Sequence, residues 1–427
     1  MKLAIVVQRY GADINGGAEL HARYIAERLA RRADVEVFTT CARDYITWKN
    51  ELPAGEDEVN RVRVRRFPVS RSRKPAQFGR LSNLVFDETH SLADELAWLA
   101  SEGPTSPALL RHIRKVEPDF DFFIFFSYRY YHAWHGTRAV PAKAIIVPTA
   151  ERDPALGLAI FAPVLAGARA LMYNSLEERA LIEHVSGRTG PSIVVGVGSD
   201  IPQRTDPRKF RRKFHIRKPF AIYIGRVDEN KGCPELFDYF QRYAALYPAG
   251  LDLMLVGSSV IDIPKHPRIK HLGFLSDSDK FDALAASDVL IMPSRYESLS
   301  MVALEAWALG KPVLANGHCD VLRGQAMRSN AGLYYDNFEE FAECLYALDG
   351  SGPLGRILGT NGRDFFRRNY AWPVIERKYL EMFDRLARET TSSPLPSLPG
   401  WFARRRRTLR PGREIVDGAP SGPAVSR

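Results

Sequence analysis

Short apolar runs alternate with helical segments along both halves of this chain. In the first half we predict strands at Leu3–Gln8, Val35–Thr39, Val62–Phe67, Phe120–Phe126, Ala144–Val147, Leu171–Tyr173 and Ile193–Val195. In the second half they begin at Phe220, Leu251, Ile269, Val289, Val313 and Leu333. Strands that alternate with helices form parallel sheets with helices on both faces. The pattern therefore predicts an α/β fold with one parallel sheet in each half.

A polar, basic and proline-containing segment, Ser199–Lys218, separates the two halves. Such composition is typical of an interdomain linker, and it places the boundary near residue 205. The chain has 427 residues, which is enough for two or three domains with cores of their own. We predict domains at 1–204 and 205–360, further helices at 361–390, and a disordered basic tail at 391–427 that is rich in Ser, Pro, Gly and Arg.

The segment Met292–Val313 places two glutamates, Glu297 and Glu305, on either side of a helix start. A buried strand feeds a helix that is capped by Ser298 or Ser300. Free amides at such a helix start, near Ser298, Leu299 and Ser300, suit an anion such as a pyrophosphate. Glu305 lies in an apolar run and would need hydrogen bonds, for example from a ribose diol. Alternatively, Glu305 reaches solvent or an arginine from an amphipathic helix.

A second strand-to-helix loop carries two cations. The run Phe220–Arg226 ends in Gly225 and Arg226, and Lys231 follows before a helix that starts near Pro234. Arginine and lysine at the carboxyl end of a strand can neutralise a diphosphate, arginine by forked hydrogen bonds and lysine as a point charge. Alone, two solvated loop cations would fit this pattern as well.

Taken together, these segments resemble the donor-binding half of retaining glycosyltransferases of family 4, also called glycosyl transferases group 1. The resemblance covers roughly residues 218–350. It rests on Gly225-Arg226-Val227, Lys231-Gly232, Val256-Gly257-Ser258, Leu272-Gly273-Phe274, Glu297-x7-Glu305 and Gly310-Lys311-Pro312-Val313. It implies the GT-B fold, in which two Rossmann-like domains face each other across a cleft. The first domain would then hold the acceptor and the second the donor, and the terminal helices would cross back to the first domain.

The resemblance also implies roles for individual residues. Arg226 and Lys231 would hold the donor diphosphate, Glu297 would contact the donor sugar, and Glu305 would bind the ribose hydroxyls. Gly225, Gly257 and the segment Ser298 to Ser300 would line the donor site. The reaction would move a hexosyl group from a UDP- or GDP-sugar to a hydroxyl acceptor with retention of anomeric configuration. Cell-surface polysaccharide or glycolipid synthesis is the context that the family suggests, with no metal and no other cofactor.

The first strand-to-helix turn contains Gly16 and Gly17. It has neither the G-x-G-x-x-G pattern of a dinucleotide site nor the Lys and Ser/Thr of a P-loop, so NAD and ATP are disfavoured. In the resembled family a Gly-Gly turn here borders the donor phosphates, which gives Gly16 and Gly17 a binding role. A flexible turn near the helix cap would also explain them.

Further candidates for the acceptor or sugar cleft follow other strands. Tyr128 and Arg129 follow the strand FFIFF, Glu151 and Asp153 follow IIVPTA, and His318 lies after the strand PVLA. Related proteins often carry a histidine near the position of Glu151, and this chain does not. His132 or His135 could substitute, although a single histidine is more often structural. Asp119 and Asp121 mimic a metal-binding DxD motif, but they precede a strand, and we reject them as metal ligands.

The net charge is +10, and the tail beyond residue 390 supplies +5 of it. A second basic cluster, Arg61–Lys74, has seven basic residues and no acid. Strand alternation explains Arg61, Arg63 and Arg65 as one solvated face. The sharper hypothesis is that this cluster and the tail touch anionic lipid or a phosphate-bearing acceptor. A nucleic-acid-binding protein is a weaker alternative, because no recognised nucleic-acid motif is present.

The amino terminus has too short an apolar run for a signal peptide, and the 14-residue run 155–168 is too short to span a membrane. The four cysteines have neither zinc-site nor disulfide spacing. We therefore predict a cytoplasmic enzyme, or one peripheral to the inner face of the membrane. Two other functions remain open, namely a non-catalytic protein that binds a nucleotide sugar and an NAD-dependent Rossmann oxidoreductase.

Overall fold

The computed structural model describes residues 1–389 except 15, 189, 350 and 351, together with 413, 417 and 418. The described chain divides into two compact units. The first unit comprises Met1–Met172, Leu181–Ser192 and Glu389, and the second comprises Tyr173–Ala180 and Ile193–Arg388.

The first unit is built on an eight-stranded sheet with the order β3-β4-β2-β1-β5-β6-β7-β8. Its strands are β1 (Lys2–Val6), β2 (Asp34–Thr40), β3 (Gly55–Val59), β4 (Val62–Phe67), β5 (Phe122–Phe126), β6 (Ala144–Val147), β7 (Ala170–Tyr173) and β8 (Ser192–Val194). Neighbouring strands are parallel from β4 through β2, β1, β5 and β6 to β7. Strand β3 pairs with β4 as an antiparallel edge strand. Strand β5 is buried along its whole length, as expected for a central parallel strand covered on both faces.

The helices of the first half alternate with these strands. They are α1 (Gly17–Leu29), α2 (Pro75–Asp87), α3 (Leu92–Glu102), α4 (Pro107–Val116), α5 (Tyr131–Ala139), α6 (Phe161–Gly167) and α7 (Leu176–Ser186). The predicted first helix, Ala18–Arg31, is confirmed with slightly different ends, because Gly16 is its N-cap residue.

The second unit is built on a six-stranded parallel sheet with the order β11-β10-β9-β12-β13-β14. Its strands are β9 (Phe220–Ile224), β10 (Asp252–Val256), β11 (Ile269–His271), β12 (Val289–Met292), β13 (Val313–Asn316) and β14 (Gly332–Tyr335). Its helices are α8 (Pro207–Lys213), α9 (Cys233–Leu246), α10 (Asp277–Ala286), α11 (Met301–Ala308), α12 (Asp320–Ser329), α13 (Phe338–Ala347), α14 (Pro353–Asn369) and α15 (Trp372–Arg388). The order reverses between β9 and β12, which makes the carboxyl ends of these two strands a switch point where ligands commonly bind.

Every predicted strand is present, so the predicted α/β class with two parallel, doubly wound sheets is confirmed. Strand β3 was not predicted, because its sequence, GEDEV, is acidic and mostly exposed. Its acids instead pair with the basic strand beside it, since Glu56 contacts Arg65 and Asp57 contacts Arg66.

The predicted linker Ser199–Lys218 is packed on the second unit. Phe210 of α8 is buried with its ring 6.3 Å from that of Phe220, and the Asp206 amide donates to Asp282 Oδ1 at 2.6 Å. The linker therefore belongs to the second unit, whose long continuous segment begins at Ile193, ahead of the predicted boundary at residue 205. Burial of Phe210 explains the difference, because a helix with an apolar anchor docks onto a core rather than spanning domains freely.

Helices α14 and α15 both group with the second unit, while Glu389, the next residue, groups with the first. The Glu389 carbonyl accepts a hydrogen bond from Arg169 Nη2 at 2.5 Å. The predicted return of the terminal helices to the first domain stays a prediction. The predicted disordered tail at 391–427 lies outside the described residues, apart from three isolated positions.

The predicted alternation of Arg61, Arg63 and Arg65 on one face is confirmed, because Val62 and Val64 between them are buried. Arg63 pairs with Asp34, Arg65 with Glu36 and Glu56, and Arg66 with Asp57, while Arg73 pairs with Glu102. Acids on the neighbouring strands β2 and β3 compensate the first three charges, and Glu102 at the end of α3 compensates Arg73. No helix within the described part of the chain is both long and apolar enough to cross a membrane.

Candidate functional site

The site in the second unit lies where β9, β10 and β12 end. Gly225 follows β9 with φ +158° and Gly257 follows β10 with φ +132°, values that residues with a side chain rarely adopt. A Cβ at Gly257 would collide with the Gly225 carbonyl oxygen. The loop after β10 can thus lie this close to the loop after β9 only because position 257 is glycine.

The loop after β9 is held by Asp228, a residue that the sequence analysis missed. This buried carboxylate binds Arg226 Nε and accepts the Lys231 amide at 2.8 Å. Arg226 itself stays 41% exposed along its side chain. Asp228 therefore folds the loop so that both cations lie on one short turn ahead of α9. The signal in the sequence was only an acid two residues after the arginine.

Lys231 and Glu297 meet at the carboxyl ends of β9 and β12. Lys231 Nζ contacts Glu297 Oε1 at 2.7 Å, and the Glu297 side chain is largely buried. Strand order explains the contact, because β9 and β12 are neighbours in the sheet although 66 residues separate the two side chains. Three predicted site residues, Arg226, Lys231 and Glu297, are thus brought to one edge of one sheet.

Helix α11 starts at this edge with Ser300 as its N-cap residue. Ser300 Oγ accepts the Ala303 amide at 3.2 Å, and Leu299 and Ser300 are both buried. Of the two predicted caps, Ser298 and Ser300, the structure selects Ser300. The helix ends at Ala308, and Gly310 follows with φ +70°, as the predicted stop requires.

Glu305 lies in the second turn of α11 and is only 3% exposed. Its Oε1 atom accepts hydrogen bonds from Ser199 Oγ at 2.8 Å and from Lys280 Nζ at 3.1 Å. Its Oε2 atom is buried and has no hydrogen-bond partner among the described residues. The alternative that Glu305 reaches solvent or an arginine is therefore wrong. A buried carboxylate with one unsatisfied oxygen is poised to accept donors from a ligand.

Gly16 and Gly17 lie at the start of α1 in the first unit. A Cβ at Gly16 would collide with Glu19, whose carboxylate pairs with Arg9 at 2.6 Å, whereas nothing lies close to Gly17. Packing against this buried ion pair explains why position 16 is glycine. The donor-binding role of both residues stays a prediction.

A second cluster of predicted residues surrounds Arg129 in the first unit. Arg129 Nη1 contacts Asp153 Oδ2 at 2.8 Å, and Tyr128 donates through its hydroxyl to Asp153 Oδ1 at 3.0 Å. Arg129 Nε also contacts Glu102 Oε1 at 2.9 Å. Burial opposes charge on Arg129, but Glu102 and Asp153 outweigh it and raise the pKa of the guanidinium.

Glu102 itself was missed because it ends α3, about 27 residues before Arg129. It is 3% exposed, and its other oxygen accepts from Arg73 Nη2 at 2.6 Å. We call Arg73, Glu102, Arg129, Asp153 and Tyr128 the Glu102 network. Within this network the positive charges of two guanidiniums are balanced by the negative charges of two carboxylates.

Backbone strain marks the same edge of the first sheet. Ser127 and Thr149, just after β5 and β6, have φ values of +64° and +49°, and their hydroxyls lie 2.8 Å apart. Left-handed backbone is uncommon for such residues, especially for a β-branched threonine, and it often clusters at functional sites. Two strained hydroxyl residues therefore lie at the point where Tyr128 and Glu151 follow their strands.

The predicted acceptor residues do not form one cluster. Tyr128, Arg129 and Asp153 contact one another, and Glu151 lies two residues from Asp153 in the same unit. His318 lies in the second unit, where its amide donates to Asn316 Oδ1 at 3.0 Å and its Nε2 lies 3.0 Å from the Asp336 carbonyl. His318 is thus held by the loop after β13.

His132 cannot replace the missing family histidine, because it is fully buried. Its Nε2 lies 3.1 Å from the Phe126 carbonyl. Burial lowers the pKa of His132 to about 4 and that of the partly buried His135 to about 4. Burial likewise lowers the pKa of His21 to about 3, and its ring packs edge-on against Phe126. These side chains belong to the core of the first unit or to its margin.

Because His21 and His132 are buried, we expect the free energy of unfolding of the first unit to fall in mild acid. Below pH 6.5 the unfolded chain binds protons at His21 and His132, whereas the folded chain stays neutral there until about pH 4 or lower. Unfolding therefore becomes easier as pH falls through this window. We expect a loss of about 2 kcal/mol per histidine between pH 6.5 and pH 5.

Denaturant unfolding at both pH values measures this effect. His21→Leu should reduce the pH dependence, because His21 Nε2 is buried without a partner among the described residues. His184→Leu, at an exposed position on α7, is the matched control. Equal pH dependence in the His21 variant and the wild type would contradict the assignment.

Asp119 and Asp121 lie before β5, as predicted, and Asp121 Oδ2 accepts the Lys2 amide at 2.7 Å. They are therefore at the amino edge of the first sheet, opposite the edge that carries the Glu102 network. Within the described residues, no group of three His, Cys, Asp or Glu side chains is arranged to hold a metal ion.

Solved structures share this fold over nearly the whole chain. The crystal structure of Anabaena Alr3699/HepE in complex with UDP and glucose aligns with a TM-score of 0.65 at 19% identity, covering 90% of this chain and 100% of that one. Together with the two doubly wound sheets, this likeness shows the GT-B fold.

Comparisons of sequence agree with the fold. Residues 218–348 match the family described as Glycosyl transferases group 1, and the predicted glycosyltransferase is confirmed. D-inositol 3-phosphate glycosyltransferase of Geodermatophilus obscurus is 24% identical over 348 residues, which cover 71% of each chain. Lipopolysaccharide core biosynthesis glycosyltransferase LpsE of Rhizobium meliloti is 32% identical over 175 residues, or 38% of this chain and 49% of that protein.

Proposed function

We propose that this enzyme moves a hexosyl group from a UDP- or GDP-sugar to a hydroxyl acceptor with retention of anomeric configuration. The main support for this proposal is the position of Glu305, a buried carboxylate whose Oε2 atom has no hydrogen-bond partner in the described chain. It lies one helical turn beyond the amide-rich start of α11. A nucleoside diphosphate would offer ribose hydroxyls to Glu305 and phosphates to that helix start.

Charge stabilisation of the leaving diphosphate is the chemistry that this edge supports. Arg226 and Lys231 bring two cations, and the amides near Ser298 and Ser300 add the helix dipole. Glu297, held by Lys231, would orient the sugar hydroxyls. A donor phosphate oxygen would take the acceptor proton, so no separate protein base is required. Because the two cations provide the positive charge, we propose that transfer proceeds without a metal ion.

For the acceptor, we propose a hydroxyl of a carbohydrate or lipid-linked sugar bound near the Glu102 network. Its charges are internally balanced, and Tyr128, Arg129 and Asp153 provide hydrogen-bonding groups. Relatives act in lipopolysaccharide core synthesis and on inositol 3-phosphate, as their names state. We therefore propose a role in cell-surface polysaccharide or glycolipid synthesis, in the cytoplasm or at the inner face of the membrane.

The test is a calorimetric titration of UDP, GDP, ADP and NAD in the presence of EDTA. We expect one nucleoside diphosphate to bind the wild type. We expect Glu305→Ala to weaken that binding, and to raise the Michaelis constant for the donor sugar, by about 10- to 100-fold, since a hydrogen bond to a charged group contributes about 1.5–3 kcal/mol.

Each outcome of the titration has a defined meaning. Metal-free binding that Glu305→Ala weakens supports the donor site and selects the base for an acceptor screen. Binding of NAD alone would favour the oxidoreductase, and binding of nothing would contradict the proposal. Donor binding with neither transfer nor hydrolysis would assign a non-catalytic protein that binds a nucleotide sugar.

A further inference from the structure

Two side chains outside α11 donate hydrogen bonds to the same oxygen of Glu305. Lys280 comes from α10, and Ser199 comes from the loop after β8. Their donor atoms lie 3.1 Å and 2.8 Å from Glu305 Oε1. The resemblance to known glycosyltransferases pointed to Glu305 but to neither of these partners. Lys280 is mostly buried, with 20% of its side chain exposed, so its charge acts close to the carboxylate.

The arrangement fixes the orientation of Glu305. The lysine and the serine donate hydrogen bonds to the same oxygen, Oε1, at 3.1 Å and 2.8 Å. Because both donors occupy Oε1, the carboxylate cannot rotate without losing them. Oε2 is left buried and without a partner in the described residues.

We propose that Lys280 and Ser199 are positioning residues that turn Glu305 into a selective receptor for the ribose diol of the donor. Neither residue needs to touch the nucleotide. They hold Oε1, so that Oε2 is the oxygen left to accept hydrogen bonds from hydroxyl groups of the ligand. Ribonucleoside diphosphates satisfy this atom, and 2′,3′-dideoxy analogues leave it unsatisfied. The inference rests on the proposed function and names what sets nucleoside recognition at that site.

The neighbouring lysine on α8 provides a matched control. Lys213 Nζ contacts Asp279 Oδ2 at 2.8 Å, so it also pairs with a carboxylate at the α8–α10 packing. Asp279 is adjacent in sequence to Lys280, yet the Lys213 pair is not connected to Glu305 by any contact that the structure describes. Lys213→Met therefore makes the same chemical change beside the site without altering Glu305.

The experiment measures dissociation constants by calorimetry for UDP or GDP, whichever the wild type binds, and for its 2′,3′-dideoxy analogue. We expect Lys280→Met to weaken binding of the ribonucleotide about tenfold or more and to leave binding of the dideoxy analogue almost unchanged. Ser199→Ala should act in the same direction with a smaller effect. Lys280→Arg should restore much of the discrimination, and Lys213→Met should bind both ligands as the wild type does.

A structural role for Lys280 would give different results. Equal weakening for the ribonucleotide and the dideoxy analogue would overturn the inference, and so would unchanged binding by Lys280→Met. In a Glu305→Gln background, Lys280→Met should cause no additional loss of discrimination. If Lys280→Met does not fold, Ser199→Ala and Lys280→Arg provide the same comparison. A wild type that binds no nucleotide would overturn the proposed function as well, whereas normal binding with unaffected variants would overturn this inference alone.

Discussion

Replacing Lys231 with alanine should lower the turnover number about 10²- to 10³-fold. Loss of one preorganised group that stabilises charge in a transition state has an effect of this size. Lys231 also pairs with the largely buried Glu297 at 2.7 Å, so the variant removes one charge and leaves the other uncompensated. The Michaelis constant for the donor should change less than turnover, because the interaction strengthens as the diphosphate departs. Steady-state kinetics with the donor identified by calorimetry measure both constants.

Arg226→Ala should follow the same pattern, since its guanidinium shares the Asp228-bound loop with Lys231. Lys213→Ala is the control, because that lysine pairs with Asp279 on the surface. Turnover of Lys231→Ala and Arg226→Ala within a factor of about two of the wild type would refute a role for these cations in the chemical step.

Replacing Glu102 with alanine should lower the free energy of unfolding of the first unit by about 3–5 kcal/mol. The variant leaves the guanidiniums of Arg73 and Arg129 in a buried network without a shared carboxylate. Removal of one partner from a buried ion pair is costly because the remaining charge cannot recover its hydration. Guanidinium chloride unfolding, followed by tryptophan fluorescence, measures the change.

Glu56→Ala provides the matched comparison for Glu102. Glu56 pairs with Arg65 at 2.6 Å, but 78% of its side chain is exposed. An exposed pair contributes about 0–1 kcal/mol, so this variant should unfold nearly as the wild type does. Similar unfolding midpoints for both variants would show that the Glu102 network does not stabilise the first unit.

The elements of the fold could be predicted from local sequence. Each central strand is a short apolar run with a polar boundary, and burial on both faces requires that composition. Likewise Gly225, Arg226, Lys231, Glu297 and Glu305 could be chosen because each follows a strand or lies near a helix start. Strand β3 could not be predicted, because an acidic edge strand becomes recognisable only beside its basic neighbour.

Partners of the charged residues could not be read from the sequence. Strand alternation placed Arg61, Arg63 and Arg65 on one face. It did not predict that Arg66 pairs with Asp57 or that Arg73 binds Glu102. His132 lies in the core because the register of α5 turns it toward Phe126. In each case the partner is distant along the chain or belongs to another element, and local patterns carry no information about such contacts.

The sequence by itself determined the α/β class, the strands and which cations and glutamates follow the strands of the second sheet, because strand periodicity and loop composition are local properties. Only the tertiary structure decided which charges are compensated and which are left for a ligand. Sheet order joins Lys231 to Glu297 across 66 residues, and the packing of α10 on the second unit brings Lys280 to Glu305. The strength of a charge depends on its burial and its neighbours, which exist only after the chain has folded.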